Sequence, residues 1–246
     1  LSVSSKNLTG KLQWTTDLNI SYNDNKCLQL GVDDAPIIGN NITQVGERIG
    51  QFYGLVWEGV YKNKEEFDKY PKHAQADVGT IRFKDVNGDG KVTQGDDRNI
   101  IGNPVPLWIV GMTNSFTYKN FDLSIFINGS IGNDIMNLGR GEYAMVSPFA
   151  SQRRDMLNYW TPANTQTDIP APRLAPHAYL PLSSYMIEDG SYVRLKNIVL
   201  GYRFPIRKHI ESLRLYVSAQ NLFTITGYSG FDPEVNSKGQ NNRQLG

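Results

Sequence analysis

Cysteine is nearly absent from this chain. Cys27 stands alone among 246 residues, so no internal disulfide can form and a disulfide-stapled secreted fold is excluded. Cys27 itself reads as a small half-buried side chain near a strand end. Long hydrophobic runs are missing too. The longest, Val105 to Met112, holds a proline and a glycine and falls far short of the roughly 20 apolar residues that a membrane helix needs. Leu1 to Gly10 lacks a basic start followed by an apolar run, so no signal peptide is read there. Neither sign of charge is in surplus: the net charge is +1. The one Arg/Lys cluster, Arg203 to Lys208, is broken by Phe204, Pro205 and Ile206, so a nucleic-acid partner is not expected. Catalytic signatures are equally scarce. No G-x-S-x-G, P-loop or G-x-G-x-x-G occurs, and His73, His177 and His209 lie apart from any Cys or Glu cluster. Neither an enzyme nor a transition-metal centre is expected. The paired acids Glu65-Glu66, Asp96-Asp97 and Glu188-Asp189 read as solvated surface charge.

What the chain does have is glycine (23), much asparagine and 11% aromatic residues, the composition of strands and turns. Over Leu12 to Tyr22, Leu12, Trp14, Thr16, Leu18, Ile20 and Tyr22 share one parity and Gln13, Thr15, Asp17, Asn19 and Ser21 the other. Side chains alternate faces along a strand, so one face is apolar and one polar. Eleven residues is long for a soluble strand and suits a tilted bilayer crossing, which takes about 9–11. The pattern recurs. Trp108, Val110, Met112, Phe116 and Tyr118 share a parity interrupted only by Asn114; after a turn at Lys119-Asn120, Phe121, Leu123, Ile125 and Ile127 alternate with polar residues. These runs predict one long hairpin. Tyr192 to Phe204 predicts another strand. Its start (Val193, Leu195) is out of phase with Ile198, Leu200, Tyr202 and Phe204, which places a bulge near Asn197. Leu213 to Gln220 alternates as well, after a turn over Pro205 to Ser212.

Weaker strands are expected at Ile49 to Val60 and Gly79 to Lys84. A short helix is expected over Asn63 to Tyr70, where Asn63 caps and acids fill the first turn. A second is expected over Ser147 to Trp160, with Met156, Leu157 and Trp160 packing on one side. Asn164 to Leu182 contains Pro170, Pro172, Pro176 and Pro181, with Pro162 just before, and reads as a long ordered loop. Short joins at one end of the strands and long decorated loops at the other are the asymmetry of a transmembrane barrel. Aromatics near strand ends fit the interfacial girdles. The fold class expected is therefore all-β: part of a large antiparallel transmembrane β-barrel with long extracellular loops and one or two short helices. A β-sandwich explains the alternation equally well, and a soluble, calcium-stiffened β-sheet module that binds glycans is the alternative function.

One motif carries chemistry. Asp85-Val86-Asn87-Gly88-Asp89-Gly90-Lys91-Val92-Thr93-Gln94-Gly95-Asp96 fits D-x-[DN]-x-[DN]-G with an acid at the twelfth place, the spacing of a calcium loop. Asp85, Asn87 and Asp89 offer side-chain oxygens, Lys91 its carbonyl, Thr93 a direct or water-bridged contact, and Asp96 closes the set, though shorter than the usual Glu. Asn-Gly and Asp-Gly are also ordinary turn pairs that need no metal. No helix pair flanks the loop, so any calcium would stiffen it rather than switch it.

On further residues the chain resembles the C-terminal part of the SusC/RagA-type TonB-dependent transporters of Bacteroidetes. The segments that carry the resemblance are Val45 to Gly54, Trp57 to Tyr61, Gly79 to Gly90, Arg98 to Pro106, Tyr118 to Leu123, Asp189 to Asn197, Ala219 to Phe223 and Gly230 to Glu234, in the family's order. The resemblance implies an outer-membrane barrel filled by an N-terminal plug, energised by TonB and covered by a SusD-like surface lipoprotein. It implies import of an oligosaccharide or peptide, with membrane lipid around the barrel. Residues 1–246 are expected to be the C-terminal portion of such a barrel, with the plug and the final strand absent, so that this piece does not transport alone.

Overall fold

The computed structural model describes residues 1–142, 145–146, 154–174, 181–205 and 212–234. It divides into two compact units. One holds residues 1–24, 105–133 and 189–229, and the other holds 25–104, 134–188 and 230–246.

The first unit is a single antiparallel sheet of six strands: β1 (Ser2–Thr9), β2 (Leu12–Tyr22), β3 (Trp108–Tyr118), β4 (Phe121–Ile131), β5 (Tyr192–Phe204) and β6 (Leu213–Thr226). Their spatial order is their chain order, an up-and-down meander with β1 and β6 at the edges. The connections alternate. Residues 10–11 join β1 to β2 and residues 119–120 join β3 to β4 at one end. At the other end the joins are long, residues 23–107 and 132–191, and these supply the second unit.

The alternation read from the sequence appears as cross-strand rows. Leu18 faces Met112, which faces Ile127; Trp14 faces Phe116, which faces Leu123; Ile125 faces Ile198, which faces Ala219. The expected bulge is present one residue from the predicted place. Lys196 is skipped in the pairing of β5 with β4, so that Phe126 faces Asn197 and Ile127 faces Leu195. One extra residue reverses the parity. It therefore brings Val193 and Leu195 onto the face already occupied by Ile198, Leu200 and Tyr202, which the bare sequence had left out of phase.

Two strands run beyond expectation. β1 is largely polar and becomes a strand only through pairing with β2, Val3 against Leu18 and Leu8 against Trp14. β6 continues to Thr226 because Phe223 and Ile225 find Leu195 and Val193 opposite.

The second unit has the hydrophobic core. Leu55, Ile81, Phe83, Val92, Tyr185 and Met186 pack together with Trp57 and Leu182 at the margin. Short strands Gln51–Leu55 and Trp57–Val60, and Ile81–Phe83, lie within the spans the sequence suggested. Helix α1 (Lys64–Lys69) is capped by Asn63, whose Oδ1 accepts from Glu66 N at 2.9 Å, with Lys64 and Asp68 paired at 2.7 Å. Gly79 takes φ +87° beneath the Trp160 ring, whose atoms a Cβ would meet at 2.4 Å, so both conformation and space demand glycine.

Three expectations need correction. Of the helix expected over Ser147 to Trp160, residues 147–153 lie outside the described residues. The described part is a 3₁₀ turn at Arg154–Asn158, in which Met156 is buried and Leu157 is 82% exposed. Three residues per turn do not put Met156, Leu157 and Trp160 on one side. Cys27 is buried in a loop, not half-buried at a strand end; its N–H and C=O pair with Glu47 and Gly46. Asp97 is fully buried and Glu188 partly so, each meeting hydrogen-bond donors, so neither acid pair is wholly solvated. The loop over 164–182 is irregular where described, with a two-residue strand, Arg173–Leu174, beside Met145–Val146; residues 175–180 lie outside the described set.

Candidate functional site

The sheet's two faces differ in chemistry. Among the described residues, every buried hydrophobic side chain belongs to the second unit. Among the described residues, the apolar rows of the sheet carry large exposed side chains: Leu200 is 46% exposed, Leu215 58%, Val217 68% and Ile225 67%. A water-soluble sheet hides such a face; a bilayer-spanning one presents it to hydrocarbon.

Aromatic rings mark both ends of that face. Toward the short turns, Trp14 stacks on Phe116 with ring centres 5.5 Å apart. Phe121, Tyr202 and Phe204 form a chain at 4.7 and 4.8 Å. At the long-loop end Tyr22 lies on Trp108 at 4.7 Å. Tyr118 and Trp108 close the two ends of the 11-residue β3. Ten steps at ~3.3 Å cover ~33 Å, and a strand tilt of ~40° reduces this to a height of ~25 Å. That height matches the apolar band of an outer-membrane barrel.

Asn114, the polar interruption, is satisfied within the face. Its Oδ1 accepts from Trp14 Nε1 at 2.9 Å and from Thr16 Oγ1 at 2.7 Å. Hydrocarbon offers no hydrogen bonds, so this clasp is what lets an amide stand there. On the opposite face Ser4 donates to Asp17 at 2.5 Å and Ser2 to Asn19 at 2.7 Å. Asp122 and Arg214 pair across the intervening β5 with a bidentate contact, Nε to Oδ1 at 2.9 Å. That contact passes over Gly201, where a Cβ would lie 2.5–2.7 Å from both charged groups.

The calcium-type loop folds as a series of self-capped turns. Asp85 accepts from Gly88 N (2.6 Å) and Gly90 N (2.8 Å), Asn87 Oδ1 from Asp89 N (2.9 Å) and Asp89 Oδ1 from Lys91 N (2.8 Å). Thr93 Oγ1 donates to Asp96 at 3.1 Å. Val92 anchors the loop in the core. The interior carboxylate is Asp97, which accepts from Val86 N at 2.8 Å and Thr93 N at 2.7 Å. Motif spacing pointed to Asp96 and missed Asp97; full burial was the signal, and it is not written in the spacing. Among the described residues no group of three or more His, Cys, Asp or Glu gathers to hold a metal.

His73, also in the second unit, is buried. Its Nε2 lies 3.1 Å from Ile81 O, and its Nδ1 accepts from Gln75 N at 3.2 Å. Burial lowers its pKa to about 4, so the ring is neutral and structural. His177 and His209 lie outside the described residues. Tyr61, fully buried with its hydroxyl donating to Pro71 O at 2.5 Å, is pushed up to about 12, chiefly by burial. An aromatic and cationic cluster that the sequence did not announce surrounds Arg140. Its guanidinium is 4.6 Å from the Tyr185 ring centre and 5.9 Å from that of Trp57, and it lies 3.9 Å from Glu188.

Among the described residues no helix is long and apolar enough to cross a membrane. No protein-family model matches the chain. Among curated proteins it is similar to the TonB-dependent receptor P3 of Formosa agariphila, at 37% identity over 99% of this chain and 25% of the relative. It is similar also to the TonB-dependent receptor SusC of Bacteroides thetaiotaomicron, at 27% identity over 96% of this chain and 24% of that protein. Among solved structures it superposes on the RagAB peptide transporter with a TM-score of 0.77 and 22% identity, covering 94% of this chain and 25% of that one. The chain thus spans about a quarter of the length of the curated relatives it matches. These relatives are receptors and transporters by name, not enzymes. With near-complete coverage of the chain by these relatives and an exposed apolar face on the sheet, the chain belongs to the SusC-like TonB-dependent receptors of the bacterial outer membrane.

Proposed function

We propose that this segment forms the C-terminal part of a barrel that imports an oligosaccharide or peptide across the outer membrane. In this reading the import is energised through TonB and assisted by a SusD-like surface lipoprotein. The observation that carries it is the exposed apolar face with an aromatic band at each end. The six strands form an open sheet with β1 and β6 at its edges, and unpaired sheet edges are not tolerated in hydrocarbon. The edges of β1 and β6 therefore call for neighbouring strands from the larger receptor. The second unit, built from the long joins, supplies folded loop material of the kind such a barrel carries. A soluble glycan-binding module predicts one exposed aromatic platform; here the rings fall in two bands along one face, which favours the membrane reading.

The test is purification of the full-length receptor from outer membranes. Extraction should require detergent, and a lipoprotein and a bound oligosaccharide or peptide should accompany it. A receptor that stays soluble without detergent overturns the reading.

The Asp85–Asp96 loop is part of the same proposal, as a structural calcium site held by Asp85, Asn87, Asp89, the Lys91 carbonyl, Thr93 and Asp96. A carboxylate has about four acceptor positions, so the N–H bonds to Asp85 and Asp89 leave capacity for a hard cation. Calorimetric titration of the chelator-treated receptor with calcium should show heat and a raised melting temperature. Without either, the loop is only a self-capped turn clasped by Asp97.

A further inference from the structure

The short-turn end of the sheet carries an arrangement that strand pairing alone does not explain. Leu12 of β2 faces Tyr118 of β3, so the next residues outward, Lys11 and Lys119, fall on neighbouring turns at one end of the sheet. Like charges placed opposite one another repel. Among the described residues, neither ammonium has an acidic partner. Lys119 Nζ lies 5.5 Å over the Tyr118 ring, at the level of the aromatic band on the apolar face. Two residues beyond Lys119 begins an apolar niche of about 240 Å³, walled by Phe121, Leu200, Tyr202, Leu215 and Val217. At the long-loop end of the sheet, Asp24 follows β2 and Asp189 precedes β5.

Two unpaired cations beside an aromatic belt, next to a groove for hydrocarbon, have the polarity of one anionic amphiphile. We propose that this corner of the sheet binds an anionic glycerophospholipid. Its phosphate sits between Lys11 and Lys119, and an acyl chain lies in the niche along β5 and β6. Short turns face the periplasm in barrels of this kind, so the lipid belongs to the phospholipid leaflet on that side. The inference rests on the barrel reading of the sheet. It goes beyond that reading in assigning a lipid class and the residues that select it.

The test uses the full-length receptor reconstituted in nanodiscs of phosphatidylethanolamine and phosphatidylglycerol, then released for native mass spectrometry. Wild type should retain phosphatidylglycerol well above its share of the bilayer. Lys11→Gln/Lys119→Gln should lower that retention by about tenfold or more, each lysine near an anionic surface being worth roughly a fivefold preference. Leu215→Trp, which fills the niche, should lower it with both lysines intact. Lys6→Gln, on the same sheet but away from the turn, should leave it unchanged. Retention matching the bilayer composition in wild type, equal retention in the double variant, or an equal loss in Lys6→Gln overturns the proposal. Heat-dependent gel mobility separates the two levels: a receptor that never forms a heat-modifiable barrel defeats the membrane reading, whereas one that does so without lipid preference defeats only this inference.

Discussion

Ile125 offers the sharpest test of which side of the sheet meets hydrocarbon. It lies on β4, which spans Phe121–Ile131, four residues from the short-turn end and six from the other. At ~3.4 Å per residue and a tilt of ~40°, those four steps lift it ~10 Å above the turn-side band in a layer ~25 Å tall. Ile125 is then within a few ångströms of the bilayer midplane, flanked by Asn114 and Ile198. An arginine there should cost about 2–4 kcal/mol of barrel stability, the depth-dependent penalty for a lipid-facing cation. Phe121→Arg, at the girdle, should cost about 0–1 kcal/mol, because the guanidinium reaches the interface. Ser124→Arg, one residue away on the polar face, should cost almost nothing. The measurement is equilibrium refolding of the full-length receptor into phospholipid vesicles across a denaturant series, read by the heat-shifted gel band. If Ile125→Arg and Ser124→Arg are equally tolerated, or Phe121→Arg is the worst of the three, the facing assignment is wrong.

Other outcomes follow from particular contacts. Gly201→Ala should part Asp122 from Arg214 and lower the refolding midpoint, and adding Asp122→Asn should cause no further loss; additive losses in that cycle would show that the glycine does not serve the ion pair. Deleting Lys196 should be tolerated, since removal of the skipped residue leaves Leu195 and Ile198 on one face; deleting Ser124 should prevent folding, since it reverses every side chain on one part of β4. A Lys196 deletion that abolishes the heat-modifiable band refutes this. His73 makes stability depend on pH. Its folded pKa of about 4 lies below the unfolded 6.5, so its contribution is complete above 6.5 and is lost as pH falls toward 4, by up to about 3 kcal/mol. Hydrogen exchange over residues 71–83 should accelerate beyond the intrinsic pH effect across that window, and His73→Phe should flatten the dependence.

Much of the fold was legible before any coordinates. Period-two alternation is a local property, and one apolar face against one polar face is enough to define β2, β3, β4 and β5, with the Lys119-Asn120 turn between them. Asn63 announced its helix because a capping side chain acts within three residues. What could not be read locally depended on partners. Ser2–Thr9 has no apolar periodicity and is a strand only because β2 lies beside it. The bulge was implied by a change of phase, but its position at Lys196 was settled by the registers of β4 and β6. Asp97 and Asp96 are adjacent acids with the same intrinsic chemistry. Only the closing of the loop, which aims the N–H groups of Val86 and Thr93 inward, makes Asp97 the buried clasp and leaves Asp96 outside. The register that sets Leu12 opposite Tyr118, and so brings the turns of Lys11 and Lys119 to one corner, is likewise invisible in a sequence that separates them by more than a hundred residues. The chain's pattern by itself determined that one face is apolar. The core formed only where the long joins fold, around Leu55, Ile81, Phe83, Val92, Tyr185 and Met186, because burial depends on partners that are distant in sequence, and the local pattern of each segment does not name them.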